Sequence, residues 1–223
     1  MADEGKRPSL RNVTETPPPS RRGRPSLAPA DILSGRKRIA VVAERLFQTE
    51  GFAAVSMRRL AKEAGCAPMT LYAYFDSKAD ILRLIWAGFL AGLFDDLDRQ
   101  SQGIPNPEDR LVALARAYVR YWLDHPDRYR MVFMTHGVTQ GEVGTFVEGG
   151  DIRARFQLFA EALSATGAAP ARLTLAYEAL LSALIGVAHN QITVSAYPWS
   201  DGEAQAEFLA QAILAQAKDR ASV

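Results

Sequence analysis

The clearest hydrophobic periodicity lies between Ser56 and Tyr74. Met57, Leu60, Ala61 and Ala64 recur at i, i+3, i+4 and i+7, one apolar face at helical period. Gly65 ends that run, where positive φ costs little. Pro68 opens a second short helix at a position whose missing N–H would have gone unpaired. Leu71 and Phe75 turn that helix inward, leaving Ala67, Pro68, Met69, Thr70, Tyr72 and Tyr74 near the outer face. Helix, glycine turn and helix have the sequence form of a helix-turn-helix, whose second helix enters the DNA major groove.

The same period recurs on both sides. A helix from about Ser34 carries Ile39, Val42, Ala43, Leu46 and Phe47 as its buried stripe and stops at Gly51. Ser77 with Asp80 reads as a capping box. The long helix it opens carries Ile81, Leu82, Ile85, Trp86, Phe89, Leu93, Phe94 and Leu97. After the break at 103–107, a helix from about Glu108 to Asp124 buries Leu111, Leu114, Ala115, Tyr118 and Trp122. His125-Pro126 ends it, and Asp127 to Met134 reads as a short helix. The stretch 135–150 holds Gly137, Gly141, Gly144, Gly149 and Gly150, the composition of a mobile loop. Further helices are predicted over about 151–166, 171–195 and 200–218, the last from a capping box of Ser200 and Glu203. Small residues in the final two (Ala176, Ala183, Gly186, Ala210, Ala217) permit close approach, so that pair is expected to form a four-helix bundle with a second subunit. The pattern predicts an all-α chain in three parts: an arm over 1–33, a helix-turn-helix domain over 34–78 and a helical body over 79–223.

Side-chain chemistry suits the first reading. Thr70, Tyr72 and Tyr74 offer hydroxyls to phosphate oxygens. Met69 and the Thr70 methyl can meet a thymine methyl, displayed only in the major groove. Arg58, Arg59 and Lys62 lie on the helix that crosses the backbone. On hairpin form alone, a plain packing unit with exposed tyrosines is equally tenable.

The run GCAPMTLYAYFDSKADIL resembles the DNA-binding signature of the TetR family of transcriptional regulators, through Leu71, Tyr72, Phe75 and Lys78. Gly51, Phe52, Ser56 and Arg58 match its upstream pattern. Ala67, Arg59 and Ala73 replace a usual Ser cap, an acidic residue and a frequent His, so base preference does not carry over. A shorter run, Ala117–Arg120 with His125–Arg130, resembles one class of TetR-family C-terminal domain. The resemblance implies a homodimeric regulator, in the repressor sense, of double-stranded DNA. Ser56, Arg58, Ala67, Pro68, Met69, Thr70, Tyr72, Tyr74 and Lys78 would contact DNA, with Tyr72 and Lys78 on phosphates. It also implies a small-molecule effector bound in the body. The aromatic and polar residues suited to a mostly apolar pocket are Trp86, Phe89, Trp122, Tyr129, Phe133, Met134, Phe156 and Tyr177, with His189 or Asn190 as a polar hook. The His189-Asn190-Gln191 break could equally sit at the dimer interface. The rival reading is an architectural DNA-binding protein without an effector, for which so large a body is superfluous.

Charge sharpens this picture. Residues 1–78 hold 14 Lys/Arg against 8 Asp/Glu, a net of +6, and residues 79–223 hold 12 against 17, a net of −5. A basic front on an acidic body fits a DNA reader joined to a domain with another task. Within the front, Arg21, Arg22 and Arg24 around Gly23 and before Pro25 resemble an AT-hook core, suited to a narrow minor groove. Too few apolar side chains accompany it for a core, so the arm is expected to be disordered when free.

Other chemistries find no support. The chain has no glycine-rich phosphate loop, nucleophile elbow or Cys/His metal spacing, and His125, His136 and His189 stand far apart. No enzyme, cofactor or metal is expected. One cysteine, Cys66, fits a reducing compartment. No run of about 18 apolar residues and no hydrophobic leader is seen, so a cytoplasmic protein without a membrane span is expected.

Overall fold

A computed structural model describes residues 29–137 and 151–218. The arginine-rich arm and residues 138–150 of the glycine-rich stretch lie outside them. The described helices are α1 (Pro29–Glu50), α2 (Met57–Glu63), α3 (Pro68–Tyr74), α4 (Lys78–Ser101), α5 (Pro107–Asp124), α6 (Pro126–Phe133), α7 (Asp151–Ala165), α8 (Leu173–Thr193) and α9 (Gly202–Lys218). A 3₁₀ turn, Pro170–Arg172, precedes α8, and no strand occurs among the described residues.

Local chemistry sets most boundaries. Ser56 caps α2, its hydroxyl accepting from the Arg59 N–H at 3.2 Å. Gly65, at φ 65°, closes it: the Gly65 N–H donates to Lys62 O and the Cys66 N–H to Ala61 O. That is a Schellman closure, which needs a residue in the left-handed region. Ser77 caps α4, accepting from the Asp80 N–H at 3.1 Å and donating to the Asp80 carboxylate at 3.0 Å. Asn106 caps α5, and Pro107 occupies its first turn.

Two boundaries differ from expectation. α1 begins at Pro29 rather than near Ser34, because proline is tolerated in a first helical turn. The cap of α9 is Asp201 rather than Ser200: the Asp201 carboxylate accepts the Ala204 N–H at 2.8 Å. Gly202 then lets α9 approach α5, since a Cβ there would lie 2.7 Å from Leu123 Cδ1 and 3.1 Å from Val119 Cγ1.

Apolar burial divides into two cores. The first gathers Ile39, Leu46 and Phe47 of α1, Leu60 of α2, Leu71 of α3, and Ile81, Leu82, Ile85, Trp86 and Phe89 of α4, with Met131 of α6. The second gathers Leu90, Leu93, Phe94 and Leu97 of α4 with α5, α7, α8 and α9. One helix therefore crosses both, its first half in one and its second half in the other. Leu71, 0% exposed, is the main anchor of α3. Truncating such a leucine to alanine costs about 2–5 kcal/mol.

The α8 helix departs from the membrane expectation. Pro170–Thr193 is long and apolar enough, by length and composition, to cross a bilayer, and only 28% of its most apolar window is buried. Its inner side nevertheless packs into the second core through Leu180, Leu184, Val187 and Ile192.

Candidate functional site

On α3 the structure presents an outward face. Met69 is 80% exposed and Tyr72 50% exposed. Pro68 and Ala73 are exposed beside them, and Thr70 is half-buried. Ala67 holds the N-cap position and makes no side-chain cap bond. No charged residue lies on α3; cations come from the exposed Arg58 and Lys62 of α2 and from Lys37 and Arg38 of α1. Ser56 is exposed but occupied as the α2 cap.

Three residues named from sequence face differently from the outward expectation. Tyr74 is half-buried and leans on α1: a Cβ at Gly35 would sit 2.7 Å from its ring Cζ, so glycine is what admits it. Arg36 fixes the same corner, donating to the Tyr74 carbonyl with its guanidinium 4.3 Å over the Phe75 ring. Arg59 is spent on ion pairs with Glu50 at 3.0 Å and Glu63 at 2.7 Å, while Arg45 also pairs with Glu63. Hydrogen bonds from Arg59 and Arg45 hold the Glu63 carboxyl below its ordinary range. Lys78 folds inward. Its ammonium donates to Phe52 O and to Val55 O at 2.9 Å and lies 4.3 Å from the Phe52 ring centre. It thus joins the start of α4 to the α1–α2 loop, and burial lowers its pKa.

The ten residues expected to wall one apolar pocket are dispersed. Trp86 and Phe89 belong to the first core, with the Trp86 indole N–H donated to Met131 O at 2.9 Å. Phe156 packs edge-on against Phe94, and Tyr177 is half-buried on the second core. Met134 lines a cleft of about 440 Å³ between the α1–α2 loop and α6, with Phe47, Phe52, Met131 and Arg130. His189 and Asn190 are exposed. Only Trp122, Tyr129 and Phe133 stay together. The Phe133 ring lies 5.4 Å from that of Trp122 and 4.6 Å from that of Tyr129. The His189 ring is 6.1 Å from that of Tyr129, at the edge of this group.

Tyr118, read from sequence only as a buried stripe position, completes the aromatic group, its ring 6.3 Å from Trp122 and 6.1 Å from Phe159. Tyr118 Oη, Trp122 Nε1 and Tyr129 Oη are buried with no hydrogen-bond partner. Desolvation raises both phenols, Tyr129 to about 12 and Tyr118 further. The Trp122 N–H lies near enough to the Tyr118 hydroxyl to oppose that rise, yet outside hydrogen-bonding geometry. Periodicity reports burial but not whether a buried hydroxyl has a partner, so no signal in the sequence marks this residue.

The outer side of α8 and α9 carries large exposed apolar side chains among polar ones. Leu175 is 69% exposed and Phe208 71% exposed. Along α8, Leu175, Ala179, Ser182, Gly186, His189 and Asn190 follow one helical stripe. A Cβ at Gly186 would meet nothing within 4 Å. Of the five small residues singled out above, Ala176, Ala210 and Ala217 are consumed inside the chain, whereas Ala183 and Gly186 are half-buried.

A tight helix-turn-helix with an exposed second helix, mounted on a larger helical body, defines a DNA-binding regulator of two-part design. Residues 39–85 match the family model for bacterial regulatory proteins of the tetR family, and residues 111–214 match a tetracyclin repressor-like C-terminal domain. The chain belongs to the TetR family of transcriptional regulators. It is similar to an HTH-type transcriptional regulator of Staphylococcus aureus (strain bovine RF122 / ET3-1), 43% identical over 51 residues, 23% of this chain and 28% of the relative. It is also similar to the regulator HbdR of Aromatoleum sp. (strain CIB), 31% identical over 83 residues, 37% of this chain and 36% of the relative. The matches thus span about a third of the length of those curated relatives. The fatty acid degradation regulator FadR from Bacillus halodurans shares the fold at TM-score 0.63 and 17% identity, covering 85% of this chain and 96% of that one. A TetR-family regulator from Mesorhizobium loti does so at TM-score 0.63 and 19% identity, covering 83% and 97%.

Proposed function

We propose that this regulator is a repressor that binds a palindromic operator as a homodimer and is released by a small, mostly apolar effector held in its body. The observation that carries the reading is the outward face of α3, where Met69 and Tyr72 stand clear of the packed helices with Thr70 half-buried beside them. Met69 and Thr70 read base edges in the major groove, and Tyr72 with Arg58 and Lys62 meets phosphates. Leu175 of α8 and Phe208 of α9, about 70% exposed on adjoining helices, support the dimer, because large exposed apolar side chains suit an interface. A two-fold pair of α3 helices then calls for half-sites about one DNA turn or a multiple apart, ~34 Å.

Release follows only where the effector prefers the conformation that does not fit DNA; equal affinity for both would shift nothing. The test is selection of bound duplexes from a random pool, repeated with candidate small molecules. A palindrome lost on adding an effector is the expected result. A lone asymmetric half-site bound by a monomer overturns the dimer reading. Thr70→Ala that leaves the selected sequence unchanged overturns its base contact.

A further inference from the structure

The aromatic group in the body carries an unmet demand for hydrogen-bond acceptors. Tyr118, Trp122 and Tyr129 are each 0% exposed, and each holds a polar atom without a partner. Elsewhere the chain satisfies the same groups: Tyr121 donates its hydroxyl to Phe89 O at 2.7 Å, and Trp86 its indole N–H to Met131 O. The deficit is therefore local. Tyr118 and Trp122 stand one turn apart on α5, and Tyr129 faces them from α6 across the His125-Pro126 corner. The three rings adjoin: Trp122 lies 6.3 Å from Tyr118 and 5.6 Å from Tyr129 between ring centres.

An indole N–H only donates, and a neutral phenol donates readily. The complement of three such groups is an oxygen with lone pairs to spare. It is not an anion, because among the described residues no Lys or Arg bonds to these three side chains: Arg128 donates to the Tyr121 hydroxyl and lies over the Phe89 ring, and Arg130 pairs with Asp127. A carboxylate buried here would lose its water without gaining a counter-charge. The way in is marked by Phe133. This last residue of α6 sets its ring against Trp122 and Tyr129 yet is 41% exposed, so this ring alone of the three borders solvent.

We infer that Tyr118, Trp122 and Tyr129 form the polar end of a ligand site that opens as the Phe133 ring swings out, and that its ligand is an uncharged, ring-sized molecule with a hydrogen-bond-accepting carbonyl oxygen. This rests on the proposal that the body binds an effector, and it names that effector's chemistry.

The experiment uses the full chain without DNA and three probes of similar size: acetophenone, ethylbenzene and benzoate. The readout is the Trp122 indole N–H resonance, assigned through Trp122→Phe. Acetophenone should bind at least ten-fold more tightly than either other probe and move that resonance downfield. Tyr118→Phe with Tyr129→Phe should weaken acetophenone several-fold towards ethylbenzene, the Trp122 N–H remaining as one donor, while leaving ethylbenzene unchanged. Equal binding of acetophenone and ethylbenzene overturns the inference, as does no acetophenone binding at millimolar concentration or undiminished binding by the double variant. If the probe binds as expected but no carbonyl compound releases DNA, the site stands and the effector role falls. If a ligand releases DNA equally from the double variant, the effector role stands and this site falls.

Discussion

Replacing Tyr118 by Phe should make the ligand-free protein more stable, against the usual direction for a buried tyrosine. The Tyr118 hydroxyl is fully buried and unpartnered. Leaving a buried polar group unsatisfied costs about 1–3 kcal/mol. Removing the oxygen relieves that cost and leaves a void of one atom, so a net gain of about 1 kcal/mol is expected. For a chain of this length that corresponds to a rise of about 2–4 °C in Tm. Tyr121→Phe supplies the internal control three residues along the same helix. Its hydroxyl donates to Phe89 O at 2.7 Å and accepts from Arg128 at 3.2 Å, so its loss should destabilise by about 1–3 kcal/mol. The assay is thermal unfolding by circular dichroism at one fixed protein concentration, because the proposed dimerisation would make Tm depend on concentration. Opposite signs for two chemically identical substitutions are the expected result. If Tyr118→Phe lowers Tm as Tyr121→Phe does, the Tyr118 hydroxyl has a partner such as an ordered water, and the claim of an orphaned polar group is wrong. The Tyr118 and Tyr129 effects should not add, since the two groups share surroundings.

The remaining expectations concern separate parts of the molecule. Both phenols titrate higher in the folded chain than the ordinary value of about 10, so the unfolded state loses these protons first and stability should fall as pH rises from about 10 towards about 12; thermal midpoints from pH 8 to 11 should flatten in the Tyr118→Phe, Tyr129→Phe double variant, and an unchanged slope would contradict the assignment. Lys78→Ala should lower Tm while leaving the salt dependence of DNA binding intact, because its ammonium binds Phe52 and Val55 carbonyls; a salt slope reduced by about one would place it on a phosphate after all. Phe208→Glu, at a side chain 71% exposed, should leave each subunit folded but shift sedimentation from dimer to monomer, and a persisting dimer would move the interface elsewhere. Deleting residues 1–26 should weaken DNA binding and remove preference for A·T pairs flanking the palindrome; an arm scrambled at constant charge that restores both would reduce it to a charge reservoir.

How far the sequence reached depended on the range of the interaction. The α2–turn–α3 unit was legible because Gly65 and Pro68 act on their own neighbours and Leu71 keeps the helical period. The cap at Ser77 was legible for the same reason. Lys78 was not, since its ammonium meets a carbonyl 26 positions away. Tyr74 was placed outside because no local signal announces that Gly35, on another helix, makes room for its ring. His189 and Asn190 were visible as a polar break in an apolar helix, and the fold places them on its exposed side. Ligand-wall candidates chosen for aromatic character were scattered by the division of α4 between two cores, which the continuous apolar pattern of that helix does not reveal.

The absence of charge on α3 has a consequence for how such a regulator would behave as its surroundings change. Counterion release scales with the phosphates neutralised by cations, and on the proposed interface those cations sit on α1, α2 and the arm. The side chains proposed to discriminate between base pairs are neutral ones, Met69 and Thr70. Osmotic upshift would then weaken hold on operator and bulk chromosome by nearly the same factor. The ratio between them, which sets occupancy when competing sites are in vast excess, would stay close to constant. On the proposed function, a reader built this way would keep its addressing through swings in cell salt, and an effector would be the separate signal that changes which sites stay occupied.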